Sequence, residues 1–163
     1  MDRAQLRRFI IRPALEAIGL WSVSAEHLLL GTAMVESELN FVMQKPAGPA
    51  LSIFQIEPFT YKDLVNRLPD RFPEVHDKIL IALNMPTLPT NASYLIGNLT
   101  AATIFARLKY YFSPVRMPAP LDYEGMAIFW KNIYNTHLGD GNLVFATKIF
   151  RSVVYNYVEH SKY

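Results

Sequence analysis

Apolar residues recur at helical spacing along most of the chain, and prolines and glycines cut that pattern into segments. Leu6, Phe9, Ile10 and Ala14 give one side to a first helix over 2–11, which Pro13 kinks or restarts and Gly19 stops. Nearly every position from Leu28 to Val35 is apolar or small, so 28–40 reads as a helix with Ser24 as its cap. The pattern then breaks at Lys45-Pro46-Ala47-Gly48-Pro49, and 51–56 is too short to assign by period and reads as a strand or an extended loop. Pro58 suits the first position of a helix over 58–68, ended by Pro69, and Val75, Ile79, Leu80 and Leu83 stripe another over 73–83. After a linker at 86–89, residues 91–112 read as the longest helix, roughly 33 Å, apolar around most of its circumference as a central helix is. A proline-rich connection over 113–120 leads to a helix over 122–134, a turn over 137–141 and a terminal helix over 142–159. The pattern predicts one mainly α domain over 1–163, with six to eight helices and at most a small β element.

One position violates that pattern. With Leu29 as zero and about 100° per residue, Ala33, Glu36 and Asn40 fall within about 40° of it, whereas Glu38 points the opposite way. Glu36 therefore lies on the apolar half of its helix. Burial disfavours the charged carboxylate and raises its pKa, which suits a general acid near neutral pH.

Composition narrows the alternatives. The chain has 163 residues, a net charge of +2 and no cysteine, which excludes disulfides, thiolate metal sites and a cysteine nucleophile. Arg3, Arg7, Arg8 and Arg12 form the one dense basic cluster, more typical of a solvated helix face than of nucleic-acid binding. His27, His76, His137 and His160 show no paired ligand spacing, and no phosphate loop or nucleophile elbow occurs, so neither metal nor organic cofactor is expected. The apolar stretches are too short or too interrupted for a membrane span, and the N-terminus lacks the apolar run of a signal peptide.

Glu36-Ser37, with Gln55 nineteen residues beyond the glutamate in Ala50-Leu51-Ser52-Ile53-Phe54-Gln55-Ile56-x-Pro58-x-Thr60, resembles the lytic transglycosylase family of the lysozyme superfamily. Asn98-Leu99-x-x-Ala102-x-x-Phe105 looks like that family's Asn-Ile-x-x-Gly-x-x-Tyr helix, and Ile133-Tyr134-Asn135, followed by Gly139 and Gly141, resembles its Ala-Tyr-Asn segment. Gly48-Pro49-Ala50 and the run from Ala25 to Ala33 look like a bacteriophage-encoded branch. Ser52 and Phe54 depart from the pattern, which has Gly and Met there, and Thr136-His137-Leu138 lengthens the turn after Asn135.

The resemblance implies a lysozyme-like helical domain of the goose-type or lytic transglycosylase kind, cleaving the β-1,4 bond between N-acetylmuramic acid and N-acetylglucosamine. It implies Glu36 as acid and then base, with Gln55 and Tyr134 holding substrate polar groups, Phe54 and Asn135 lining a cleft, and Ser37 beside the glutamate. Gln44 is a further candidate for a hydrogen bond there. Glu57 is either a helix-start acid or the second carboxylate of a true hydrolase, a muramidase using Glu36 with Glu57. Trp21, Trp130 and Tyr61 have the rings to stack on sugars, although such spacing more often marks core. The expected partner is peptidoglycan, with other phage virion proteins as candidates and no nucleic acid or membrane. Such a protein acts on the periplasmic wall from a virion or from within an infected cell. A catalytically weak virion protein that keeps the fold is the rival from another class.

Overall fold

The computed structural model describes residues 1–135 and 142–160, so the turn expected over 137–141, with Gly139 and Gly141, lies outside them. The helices are α1 (Arg3–Gln5), α2 (Arg12–Ala17), α3 (Val23–Ser37), α4 (Pro58–Arg71), α5 (Pro73–Leu83), α6 (Tyr94–Gly97), α7 (Leu99–Tyr111), α8 (Tyr123–Phe129) and α9 (Leu143–His160). Two π-helical turns join them: π1 (Leu6–Ile11) runs from α1 into α2, and π2 (Trp130–Asn135) continues α8. The fold is mainly α. Among the described residues β structure is limited to two isolated antiparallel bridges, Met43 with Leu51 and Leu51 with Ile56.

Helices α3 and α7 form the centre. From Ser24 to Met34 every residue of α3 is buried, and so is Ala101 to Leu108 of α7. Full burial of a Leu or Phe contributes about 1.5–3 kcal/mol, so these two helices anchor the core. Thr32 donates to the Leu28 carbonyl and so accepts from the Tyr110 hydroxyl at 2.7 Å, tying α3 to α7. Helix α9 approaches α3 at Gly31, where a Cβ would stand 2.2 Å from the Phe150 ring.

Local chemistry sets the ends differently from the apolar pattern. Ser22, not Ser24, caps α3: its backbone is extended and its Oγ accepts from the Ala25 N–H at 3.1 Å. Helix α3 thus begins well before residue 28. It stops at Ser37 because Glu38 (φ 49°) and Leu39 (φ 58°) are both left-handed, so Asn40 lies beyond the helix. The long helix expected over 91–112 is broken at Asn98, whose Oδ1 accepts from the Ala101 N–H at 2.8 Å. A short amide side chain that bonds its own backbone competes with the helix and starts a new one. Pro69, by contrast, lies inside α4, near its end. Its fixed φ is compatible with helix, so it removes a hydrogen bond without stopping the last turn.

An L-residue in the left-handed region costs about 1–2 kcal/mol, partly offset for glycine by the entropy it loses on folding. Exposed Glu38 occupies such a position. Glu38→Gly is therefore expected to stabilise the fold by about 0.5–1 kcal/mol, read as a higher urea midpoint with an unchanged slope. A lower midpoint would show that the Glu38 side chain contributes more than its backbone costs.

The arginine cluster has an internal use. Glu26 of α3 is buried, and its carboxylate receives Arg12 Nε at 2.8 Å, Arg12 Nη2 at 3.0 Å and Trp21 Nε1 at 2.9 Å, with Arg7 Nε at 3.5 Å. Arg7 also lies over the Tyr157 ring. Arg7 and Arg12 thus brace the amino-terminal helices against α3. No helix among the described residues is long and apolar enough to cross a membrane.

Candidate active site

Glu36 lies in the last turn of α3, where the negative end of the helix dipole adds to the cost of a carboxylate. Burial pushes its pKa up to about 7, against a hydrogen bond from Trp130 and the positive charge of Lys109, which both pull it down. Trp130 Nε1 donates to Glu36 Oε1 at 2.8 Å. This donor is satisfied by either protonation state, so Glu36 can hold or release a proton with its orientation kept. The Trp130 ring itself is 1% exposed, which makes it a core side chain with one polar edge in use rather than a stacking platform.

The segment after α3 folds into a tight turn. Leu51 and Ile56 exchange backbone hydrogen bonds at 2.9 and 2.8 Å around Ser52-Ile53-Phe54-Gln55. Ser52 (φ 67°) and Gln55 (φ 49°) both take the left-handed conformation. Side chains stabilise them: Gln55 Nε2 donates to the Ser52 carbonyl at 2.7 Å, and Ser52 Oγ accepts from the Phe54 N–H at 3.2 Å.

Turn π2 brings the distant pieces together. Trp130, its first residue, reaches Glu36, and Tyr134, one turn on, donates from its hydroxyl to the Phe54 carbonyl at 2.8 Å. Burial drives the Tyr134 pKa far up, so this phenol remains a donor. Lys109 of α7 donates to the Tyr134 carbonyl and lies 4.0 Å from the centre of its ring. Tyr110 packs beside them, against Phe129 and Tyr134.

The residues expected from sequence occupy several different positions. Glu36 and Gln55 are half-buried, within reach of solvent. Phe54 is wholly buried, so its ring is not part of an open cleft wall, and its carbonyl docks Tyr134 instead. The Tyr134 hydroxyl is committed to that bond. Ser37 is buried as well: its Oγ donates to the Ala33 carbonyl and accepts from the Leu39 N–H, which shapes the helix exit. Asn135 closes π2 and accepts from Lys131 at 2.9 Å. Gln44 folds back within its loop, accepting from the Ala50 N–H. Glu57 is exposed at the start of α4 without a capping hydrogen bond, and its charge, like that of Glu36, acts on Lys109. Tyr61 is fully buried and donates to the Pro89 carbonyl, whereas Trp21 is 40% exposed and held by Glu26.

Two contributors were not legible from the pattern. Trp130 looked like core because its apolar spacing hides an indole N–H that must find an acceptor when buried. Lys109 carries no motif or pairing in the sequence that marks it. Among the described residues no cluster of His, Asp or Glu is arranged to hold a metal ion. Comparison with family models, with curated proteins and with solved structures gives no significant match.

Proposed function

We propose that the chain is a peptidoglycan-cleaving lytic transglycosylase of lysozyme-like fold, with Glu36 as its acid and base. The observation that carries this reading is the Glu36 carboxyl, raised to a pKa of about 7 by burial and oriented by Trp130 at the end of a core helix. A second observation supports the resemblance on which it rests. Ser52, which stands where the family pattern has glycine, adopts the left-handed φ that glycine favours.

In the reaction, protonated Glu36 gives its proton to the glycosidic oxygen as the bond from that oxygen to C1 of the muramic residue breaks. The resulting carboxylate then takes the proton of the C6 hydroxyl as that oxygen closes on C1. No water is consumed, and Glu36 ends protonated again. Gln55, half-buried on a fixed turn, is the side chain that the resemblance assigns to substrate polar groups. Trp130, Tyr134 and Ser37 hold the framework, and Asn135 ends the same turn. The setting inferred from the same resemblance is a phage virion or infected cell, acting on the periplasmic wall.

The second reading, a hydrolase using Glu36 and Glu57, draws on the shared electrostatic influence of both carboxylates on Lys109. Product analysis separates the readings. Purified peptidoglycan digested with the chain is expected to release muropeptides with 1,6-anhydromuramic ends, seen by mass spectrometry as one water lighter than reducing ends. Reducing ends would establish the hydrolase, and no release by folded protein would favour a structural virion role.

A further inference from the structure

The site holds a cation to which neither reading gives a part in the chemistry. Lys109 is half-buried on α7, and burial draws its pKa down while Glu36 and Glu57 hold it up. Among the described residues no carboxylate lies within salt-bridge distance of it. Its ammonium instead meets the carbonyl and ring face of Tyr134. An ammonium fixed on a carbonyl and an aromatic face keeps much of its field for charges nearby, because it is not neutralised by a contact partner.

We propose that Lys109 is a positioning residue for Glu36, clamping turn π2 through Tyr134 and supplying the fixed positive charge that stabilises the Glu36 carboxylate between the two proton transfers. The inference rests on the glycosidase reading for its catalytic meaning. The clamp acts on both ends of the site, since π2 carries Trp130 to Glu36 and Tyr134 to the Phe54 carbonyl. A buried carboxyl facing no cation would hold its proton too tightly to serve as an acid. Lys109 offsets that burial. Among the described residues, the ionisable groups coupled to Glu36 are Lys109 and Tyr110 from α7 and Tyr134 from π2, with Glu57 at the start of α4 acting on Lys109. Both tyrosines are kept neutral by burial, so among the described residues Lys109 is the cation that acts on Glu36.

The test is the side-chain titration of Glu36, followed by carbon NMR on the full chain in wild type, Lys109→Met, Lys109→Gln and Lys109→Arg. Removing the charge in Met or Gln is expected to raise the Glu36 pKa by about one unit or more, while Arg keeps it close to wild type. Gln can still donate to the Tyr134 carbonyl, so it carries the test if Met does not fold. With peptidoglycan, the alkaline limb of kcat/KM should move upward with the NMR value, and kcat/KM at its optimum should fall about tenfold. A Glu36 pKa unchanged in either folded neutral variant overturns the role of Lys109. Wild-type cleavage judges the glycosidase reading separately, and the titration judges Lys109 whether or not the chain cleaves.

Discussion

Glu36→Gln should lower peptidoglycan cleavage by about 10²–10⁴-fold while making the protein more stable at alkaline pH. The two effects have one origin. The amide keeps an oxygen to accept from Trp130 Nε1, so the 2.8 Å contact and the packing around it survive. It has no proton to give and takes none back, so both halves of the proposed reaction stop. The stability change follows from proton linkage. An unfolded glutamate titrates near 4.5, whereas folded Glu36 titrates at about 7. Between these values the folded state binds more protons than the unfolded state, so wild-type stability falls as pH rises. Above pH 7 the penalty is complete, of order 3 kcal/mol for a shift of this size. Glutamine has no such term. Its advantage over wild type should therefore be near zero at pH 4 and grow toward pH 8, as urea midpoints at several pH values would reveal. Retained cleavage sinks the catalytic assignment, and a stability difference that ignores pH sinks the buried-carboxyl account.

Glu26→Ala is expected to cost about 3 kcal/mol, the largest loss foreseen for any single polar side chain of the protein. Glu26 is 1% exposed and receives Arg12 twice, Trp21 once and Arg7 at the edge. Its removal leaves an indole N–H and two guanidinium groups without their acceptor. Arg7 and Arg12 retain some access to water, 21% and 37% for their side chains, so the cost sits at the low end for a broken buried pair. Urea denaturation measures the loss, and a double-mutant cycle with Arg12→Ala should show strong non-additivity. High salt should change the effect little, because the contact is largely shielded from solvent. A loss below about 0.5 kcal/mol, in the range of an ordinary surface substitution, would mean that the carboxylate is dispensable to the packing of the amino-terminal helices.

Much of the fold was legible because its helices are bounded by strong local signals. Pro58 and Pro73 open α4 and α5 at the expected residues, and the terminal helix begins one residue after its expected start. Apart from Pro69, whose φ fits the helix it was expected to end, the misplaced helix boundaries share a cause: a side chain's hydrogen bond is invisible to a count of apolar positions. Asn98 turned its amide back on the chain and split the longest helix, and Ser22 took the cap expected of Ser24. In the site, Glu36 stood out because a carboxylate on an apolar face contradicts the rest of its helix. Gln55 came with the short motif that surrounds it. Trp130 was marked only as a ring that could stack on sugar, and Lys109 was not marked at all, because each is of a type common at its position. Only the arrangement of α3, α7 and π2 gives them work. The hydroxyls of Ser37 and Tyr134 show the opposite error, since both are consumed in holding the backbone.

Turn π2 has a consequence for how this chain can vary. A π turn holds one residue more than the α-helical turn it replaces, and such turns recur at functional sites. Trp130 and Tyr134 sit on it and face different partners, Glu36 on one helix and Phe54 on a separate turn. Deleting one residue between them would let the turn close as regular helix and change the angular offset between Trp130 and Tyr134. Tyr134 would then leave the Phe54 carbonyl, and Lys109 would lose the group it rests on. Substitutions can be absorbed one side chain at a time, but the length of this turn is shared by three separate parts of the site. Here the spacing of the chain is under tighter constraint than the identity of most residues in it.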